Sequence, residues 1–210
     1  MEAKGGKTVE PKNNPDALRA LRALLRDRIG RSIELKEALL KDEHFQELVV
    51  QVAMQIVKSL ERGGKVFFFG NGGSAADAQH LAAEFTGRFL KERRALPALA
   101  LSVNSSSLTA IGNDYGFDIV FARQLEALGR EGDVAVGIST SGNSPNVIRA
   151  LETANSKSIF SVALTGKSGG TLKNIADCTI CIPSEETPRI QECHILTGHL
   201  ICEIVEEVLF

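Results

Sequence analysis

Residues 66–74 have the sequence VFFFGNGGS, a short apolar run that ends in a glycine-rich turn. Further apolar runs follow along the chain, and helical segments separate them. The predicted strands are residues 66–69, 97–103, 134–138, 160–164 and 179–182. Because each run is continuously apolar rather than alternating, we expect strands that are covered on both faces. Strands that alternate with helices predict a five-stranded parallel sheet in an α/β protein, a three-layer αβα sandwich.

Helices are predicted between these strands and before the first one. Those after the first strand are residues 74–90, 117–128 and 144–156, a short turn near 172–175, and a last helix with Thr187 as its N-cap and Pro188 at its first helical position. Two more, residues 17–40 and 42–62, carry leucine and isoleucine at helical spacing. Since these N-terminal helices have no evident place on the sheet, we expect an appendage to it or an oligomer contact. Residues 1–15 indicate a mobile tail, and residues 16–210 a single domain.

The composition excludes several classes of protein. With 24 Lys and Arg against 26 Asp and Glu, the net charge of −2 predicts neither a nucleic-acid partner nor a membrane partner. No apolar run reaches the roughly 18 residues that span a bilayer, and no signal-peptide pattern precedes the first helix. We therefore expect a cytoplasmic protein. Cys178 and Cys181 form a C-x-x-C pattern, but on a strand they point to opposite faces, which favours burial over metal or redox chemistry.

Three predicted strands end in turns that are rich in glycine and hydroxyl groups, at residues 69–74, 138–145 and 164–170. The carboxyl ends of parallel strands are where such sheets bind ligands. Backbone N–H groups and hydroxyls at a helix N-terminus form an anion site, so phosphate is the natural candidate. The chain has neither GxGxxG nor GxxxxGK[ST], which argues against a dinucleotide or Walker-type nucleotide site. Each turn alone is also compatible with an ordinary solvated connection.

Helix-start signals accompany two of these turns, Ser74 with Asp77 and Ser144 with Pro145. The second turn is the more specific one, because its side chains offer far more hydrogen bonds than a connection requires. This capacity suits a phosphate together with sugar hydroxyls.

Two predicted helices carry titratable or metal-binding side chains at helical spacing. His80 and Glu84 lie one turn apart after the first turn, and Gln191 and His199 lie about two turns apart on the last helix. These four are candidate ligands for zinc or a similar divalent ion, although Gln is uncommon in that role. The Glu and His also fit a proton-transfer pair. Spacing alone leaves structural histidines as a third interpretation, with His194 and Glu192 as neighbouring competitors.

Five stretches of the chain resemble one family. They are GNGGSAADAQHLAAEFTGRF (70–89), AIGNDYGFD (110–118), GREGDVAVGISTSGNSPNVI (129–148), ALTGKSGG (163–170) and RIQECHILTGHLICEIVE (189–206). They are similar to bacterial phosphoheptose isomerases, members of the sugar-isomerase (SIS) family with a flavodoxin-like fold. The similarity covers about residues 31–208. It implies conversion of sedoheptulose 7-phosphate to D-glycero-D-manno-heptose 7-phosphate through an enediol, a homotetramer with active sites between subunits, and one zinc ion per subunit.

The resemblance also implies roles for individual residues. The residues implied to bind the phosphorylated seven-carbon sugar are Asn71, Gly72, Gly73, Ser74, Glu84, Arg88, Asn113, Asp114, Ser139, Thr140, Ser141, Ser144 and Gln191. The implied zinc ligands are His80, Glu84, Gln191 and His199. Of the two implied catalytic residues, Glu84 is the better base and His199 the better acid. Residues 183–188 form a shorter loop than in some members, which puts contacts from this loop in doubt.

Two alternatives stand beside this interpretation. SIS-fold regulators of the kind that binds the replication initiator DnaA are not enzymes, and they lack the Glu and the second His. Both are present here, as Glu84 and His199, which favours the enzyme. The composition of the turns is also compatible with an isomerase of another phosphosugar.

Overall fold

A five-stranded parallel sheet lies at the centre of the computed structural model, which describes residues 15–210. Its strands are β1 (Val66–Gly70), β2 (Ala98–Ala100), β3 (Val134–Ser139), β4 (Phe160–Gly166) and β5 (Cys178–Ile182), in the order β2-β1-β3-β4-β5. The predicted strands and their parallel pairing are confirmed. β2 is shorter than predicted because Asn104, soon after it, already caps the next helix and turns the chain away.

Helices cover both faces of the sheet, as predicted. They are α1 (Pro15–Lys41), α2 (Glu43–Glu61), α3 (Gly73–Thr86), α4 (Ser105–Tyr115), α5 (Val120–Leu128), α6 (Pro145–Ser156) and α7 (Thr187–Leu209), with 3-10 turns at Phe117–Ile119 and Gly170–Asn174. Val66 and Phe68 of β1 pack toward α2, α3 and α7. Phe67 and Phe69 pack toward α5 and α6 on the other face. Within residues 15–210, no helix is both long and apolar enough to cross a membrane.

The helices differ from the predictions in several features. α4 was not predicted, because its small polar residues form no apolar stripe; Asn104 starts it by accepting the N–H of Ser107 at 3.0 Å. α3 ends at Thr86 rather than residue 90, since Gly87 follows and the chain turns away. The N-cap of α3 is Gly72, and Ser74 lies buried inside the helix instead of capping it. The N-cap of α7 is the residue before Thr187.

The two N-terminal helices differ from each other. α2 belongs to the helix layer, because Val52 and Ile56 are fully buried in the core, so the expected appendage is wrong for α2. α1 buries Leu39 near its end and exposes Leu18, Leu25 and other apolar side chains along its first half. Residues 1–14 lie outside the described residues. The tail over residues 1–15 and the single domain over 16–210 therefore stay predictions, although Pro15 already belongs to α1.

Replacing Gly137 with alanine tests how tightly the sheet packs against α6. A Cβ there would lie 2.8 Å from Cγ1 of Val147 and 3.1 Å from Cε2 of Phe69, so the core must shift. We expect Gly137→Ala to lower the free energy of unfolding by about 1–3 kcal/mol in a urea titration. Gly30→Ala is the control, because a Cβ there would meet no atom within 4 Å beyond its own stretch of helix, and alanine favours the α1 helix. Equal unfolding midpoints for the two variants would contradict the packing.

Candidate active site

α3 and α7 lie side by side and run in the same direction. The start of α3, at Gly73, faces the side-chain amide of Gln191, and Leu81 one residue past His80 faces Gly198. A Cβ at Gly198 would lie 2.5 Å from Cδ2 of Leu81, so only glycine allows the two helices to come this close. The residues beside this contact, His80 and His199, are therefore brought together.

His80, Glu84 and His199 form one cluster between these helices. Nε2 of His80 lies 2.9 Å from Nε2 of His199 and 3.2 Å from Oε1 of Glu84. The ligand atoms of the three residues lie within 4.8 Å of one another. The ring of Phe89 packs 5.6 Å from the ring of His199, centroid to centroid. His80 and Glu84 thus lie one turn apart on α3, as predicted, and α7 contributes His199 to the same cluster.

The cluster fits a divalent metal. Zinc bonds of about 2.0–2.1 Å in a tetrahedral site place ligand atoms about 3.3 Å apart, close to the two distances observed from Nε2 of His80. Burial lowers the pKa of His199, the neighbouring His80 lowers it further, and Glu84 partly opposes both. The lowered pKa favours the neutral imidazole, which is the form that binds metal. Two imidazoles and a carboxylate are a ligand set that zinc accepts.

Gln191, the fourth predicted ligand, lies at the other end of this helix pair. Its amide Nε2 would be 2.5 Å from a Cβ on Gly73, so the side chain borders the turn after β1. Along α7 it precedes His199 by about 12 Å, two helical turns. Within one chain, the structure therefore places Gln191 beside the predicted substrate turn and the other three ligands in the cluster.

The competitors on α7 point elsewhere. Glu192 accepts a hydrogen bond from the hydroxyl of Ser32 on α1 and pairs with Arg189. His194 is buried, and its Nε2 lies 3.0 Å from the carbonyl oxygen of Thr165, which makes this nitrogen the donor. Its Nδ1 is buried without a hydrogen-bond partner among the described residues. The orientation of α7 thus points His199 toward the cluster and His194 toward Thr165 of β4.

The turn after β3 gathers the predicted phosphate-binding hydroxyls. Oγ of Ser139 lies 2.9 Å from Oγ of Ser144 and 3.4 Å from Oγ of Ser141, at the start of α6. Asn143, which sequence reasoning passed over, holds this turn against the next one: its Oδ1 accepts from the N–H and hydroxyl of Thr171. Its only sequence signal was an amide side chain within the second glycine-rich turn. The cluster of hydroxyls is the arrangement that a phosphate group needs.

A pair of side-chain amides joins the turn after β1 to α6. Asn71 and Asn146 exchange two hydrogen bonds, each 2.9 Å long. Asn146 is buried and was not predicted as a site residue; an amide at the start of a core helix was its only sequence signal. Gly72 has a φ of 55°, a conformation that favours glycine, where the turn enters α3. The two predicted ligand-binding turns are thereby held at one edge of the sheet.

Three predicted substrate residues pair with their own neighbours instead. Asn113 donates to Oδ1 of Asp114 at 2.9 Å on the exposed helix α4. Arg88 lies past the end of α3 and forms an exposed ion pair with Glu92 at 3.7 Å. None of the residues of α4 is buried in this chain. Within the described chain, the structure therefore does not join these three to the His80 cluster.

The buried His194 predicts a pH-dependent stability. Burial lowers its pKa from 6.5 to about 4, with the Thr165 hydrogen bond opposing the shift. The unfolded chain thus binds the proton more readily, and the free energy of unfolding falls by about 3 kcal/mol as pH decreases from 6.5 to 4. We expect His194→Gln to flatten this slope in urea titrations, while the exposed control His44→Gln keeps it. An unchanged slope in His194→Gln would contradict the assignment.

Comparisons with known proteins agree with this geometry. Residues 33–166 match the family model described as SIS domain. Phosphoheptose isomerase of Aneurinibacillus thermoaerophilus is 53% identical, over 89% of this chain and 94% of that protein. Phosphoheptose isomerase of Aquifex aeolicus is 56% identical, over 85% and 92%.

A solved structure is similar as well. Phosphoheptose isomerase GmhA from Neisseria gonorrhoeae superposes with a TM-score of 0.84 at 45% identity, covering 89% of this chain and 99% of that one. The similarity extends over nearly the whole length of these relatives. The chain belongs to the phosphoheptose isomerase family of SIS-domain proteins.

Proposed function

We propose that this protein is a cytoplasmic aldose–ketose isomerase that converts sedoheptulose 7-phosphate to D-glycero-D-manno-heptose 7-phosphate, a heptose precursor of lipopolysaccharide or other surface glycans. The observation that carries the proposal is the contact of His80, Glu84 and His199 between α3 and α7. Two relatives whose sequences are 53% and 56% identical to this chain are named phosphoheptose isomerase, after this activity. The reaction moves a proton between C1 and C2 through an enediol, which requires a base, an acid and stabilisation of the developing negative charge.

The cluster supplies the groups for this proton transfer. Glu84 is the proposed base for the carbon-bound proton, and His199 the proposed acid for the oxygen. A carboxylate and an imidazole this close act as one unit.

The turns supply binding. We assign the phosphate to the hydroxyls and N–H groups after β3, and the sugar to the turn after β1. The proposed phosphate contacts are Ser139, Thr140, Ser141 and Ser144, and the proposed sugar contacts are Asn71, Gly72, Gly73, Ser74 and Gln191. The bridge between Asn71 and Asn146 supports this assignment, because it keeps the two turns at a constant separation.

We further propose that one zinc ion per subunit is held by His80, Glu84, His199 and Gln191. The spacing of the first three ligand atoms supports the ion, and the amide of Gln191 is the least supported ligand because of its place beside Gly73. When bound, zinc supplies a positive charge that polarises the carbonyl and hydroxyl oxygens of a sugar. The chain's own residues then orient the substrate and move the proton.

The exposed apolar face of α1 supports a homotetramer. Leu21, Leu25 and Ile29 are more than half exposed, which is costly for a helix unless another chain covers it. α4 buries none of its residues in this chain, and it carries Asn113 and Asp114. In the proposed assembly, these two and Arg88 reach a site at a subunit contact.

Light scattering tests the assembly. We expect a mass of about 90 kDa at micromolar concentration, four times the 22.6 kDa of one chain, since closed symmetric assemblies are the usual outcome. A replacement of Leu25 and Ile29 by glutamate is expected to reduce that mass. A wild-type protein that scatters as a monomer would contradict the tetramer.

Removing the base tests the reaction. Glu84→Gln keeps the size of the side chain but removes its proton affinity, so we expect turnover of sedoheptulose 7-phosphate to fall by about 10²–10⁴-fold. His199→Ala should lose a comparable factor, and the double variant far less than the product of both. Glu47→Gln, an exposed carboxylate on α2, is the matched control and should keep wild-type turnover. Near wild-type turnover by metal-loaded Glu84→Gln would remove Glu84 as the base.

Metal analysis tests the zinc proposal. Purified protein should contain about one zinc per subunit, and His80→Ala should lower this content by removing one ligand of the set. His44→Ala is the control, because His44 is exposed on α2 and lies outside the cluster. Equal zinc content in the two variants would show that His80 is not a ligand. Turnover with related phosphosugars in the same assay separates this function from isomerisation of another substrate.

A further inference from the structure

A buried ion pair lies behind the cluster, between the end of α3 and the end of α7. Nε of Arg93 donates to Oε1 of Glu206 at 2.7 Å, and both side chains are 2% exposed. A charge this deep is stabilised only when its partner stays in place, because removing either one leaves the other buried and unpaired. The sequence analysis assigned neither residue, and the proposed chemistry uses neither.

The Arg93 guanidinium caps α3 from outside the helix. Its Nη2 donates to the backbone oxygen of Glu84 at 2.7 Å, and its Nη1 donates to those of Phe85 and Gly87 at 3.1 and 3.2 Å. The last carbonyl groups of a helix have no partner inside it, and they carry partial negative charge. Arg93 satisfies these oxygens at the residue that we propose as the base. A lysine has the charge but not the planar fork that reaches several oxygens at once.

The Glu206 carboxylate gathers the chain that follows α3. It accepts the N–H groups of Phe89, Leu90 and Lys91 at 3.1, 2.7 and 2.7 Å, in addition to Arg93. Burial alone would raise the pKa of Glu206, but these donors together hold it below its usual range. Glu206 lies seven residues after His199, so the two side chains project from the same face of α7 two turns apart.

We propose that Arg93 and Glu206 are positioning residues that hold Glu84 and His80 at their working distance from His199. The pair connects the backbone of Glu84 on α3 directly to α7, the helix that carries His199. It also fixes Phe89, whose ring packs against the ring of His199. Proton transfer and metal binding both require these side chains to be placed within about 0.5 Å. This inference rests on the proposed function for its kinetic consequences, but its geometric consequence is independent of it.

The test compares three variants of the full chain. Glu206→Gln keeps the size of the carboxylate but loses its charge, and Arg93→Lys keeps the charge but loses the fork. Asp133→Asn is the matched control: this buried carboxylate also accepts two backbone N–H groups, those of Lys65 and Arg130, and pairs with the Lys65 ammonium at 2.8 Å. It precedes β3, at the amino edge of the sheet, opposite the turns of the site.

Three measurements are made at a temperature where thermal unfolding curves show every variant folded. The first is kcat and KM with sedoheptulose 7-phosphate. The second is the dissociation constant for zinc alone. The third is the nuclear Overhauser effect between the ring protons of His80 and His199, measured in metal-free protein. The centroids of these two rings lie 5.1 Å apart. The chain has 4 histidines, so these ring signals are readily assigned by substitution.

We expect Glu206→Gln and Arg93→Lys to weaken zinc binding by about 10- to 100-fold, as loss of a residue that supports metal ligands does. The ring contact should weaken, and kcat should fall by about tenfold or more while KM changes by less than about threefold. Asp133→Asn should keep all three values although its melting temperature falls. Arg93→Lys is the milder variant. If Glu206→Gln fails to fold, Arg93→Lys alone tests whether the pair positions the cluster.

Two other outcomes would have different meanings. If the site variants melt earlier but keep the wild-type zinc affinity, ring contact and kcat, the pair is structural only and the inference is wrong. If wild-type protein does not isomerise the substrate, the proposed function is wrong. The ring contact and the zinc affinity then still decide whether Arg93 and Glu206 position the cluster.

Discussion

The close approach of α3 and α7 at Leu81 and Gly198 is the constraint on which the site depends. No side chain fits at position 198, because a Cβ would overlap the Leu81 side chain. With glycine there, the helices come close enough for His80 and His199 to touch through their Nε2 atoms. The helices run in the same direction, so one contact sets the register of the whole pair. Gln191 then meets the start of α3, and Glu206 meets the chain that leaves it.

The sheet brings a second set of groups to the same edge. β1 and β3 are neighbouring parallel strands, so the turns that follow them are adjacent. Asn71 and Asn146 lock these turns together, and Asn143 locks the second to the turn after β4. The proposed acid–base groups thus come from the helix pair, and the hydroxyl groups come from the strand ends. An isomerase of a phosphorylated sugar needs both sets in one cleft.

Local sequence patterns predicted the strands and most helices, because continuous apolar runs and helical leucine spacing are properties of a single segment. The pairing of His80 with Glu84 was predictable for the same reason. Two kinds of feature were not. α4 has no apolar stripe and is started by the Asn104 cap. The choice between His194 and His199 depends on how α7 is rotated against the sheet, which buries the first beside Thr165 and leaves the second facing α3. Arg93 and Glu206 lie 113 positions apart, and only the fold brings them together.

The most direct test of the central claim is the conversion of sedoheptulose 7-phosphate by the purified, zinc-loaded protein in D₂O, followed by NMR. The account predicts that D-glycero-D-manno-heptose 7-phosphate forms with solvent deuterium at C2, since the base between α3 and α7 exchanges its proton with water before returning it to carbon. A folded, metal-loaded protein that forms no aldose from this substrate would contradict the account.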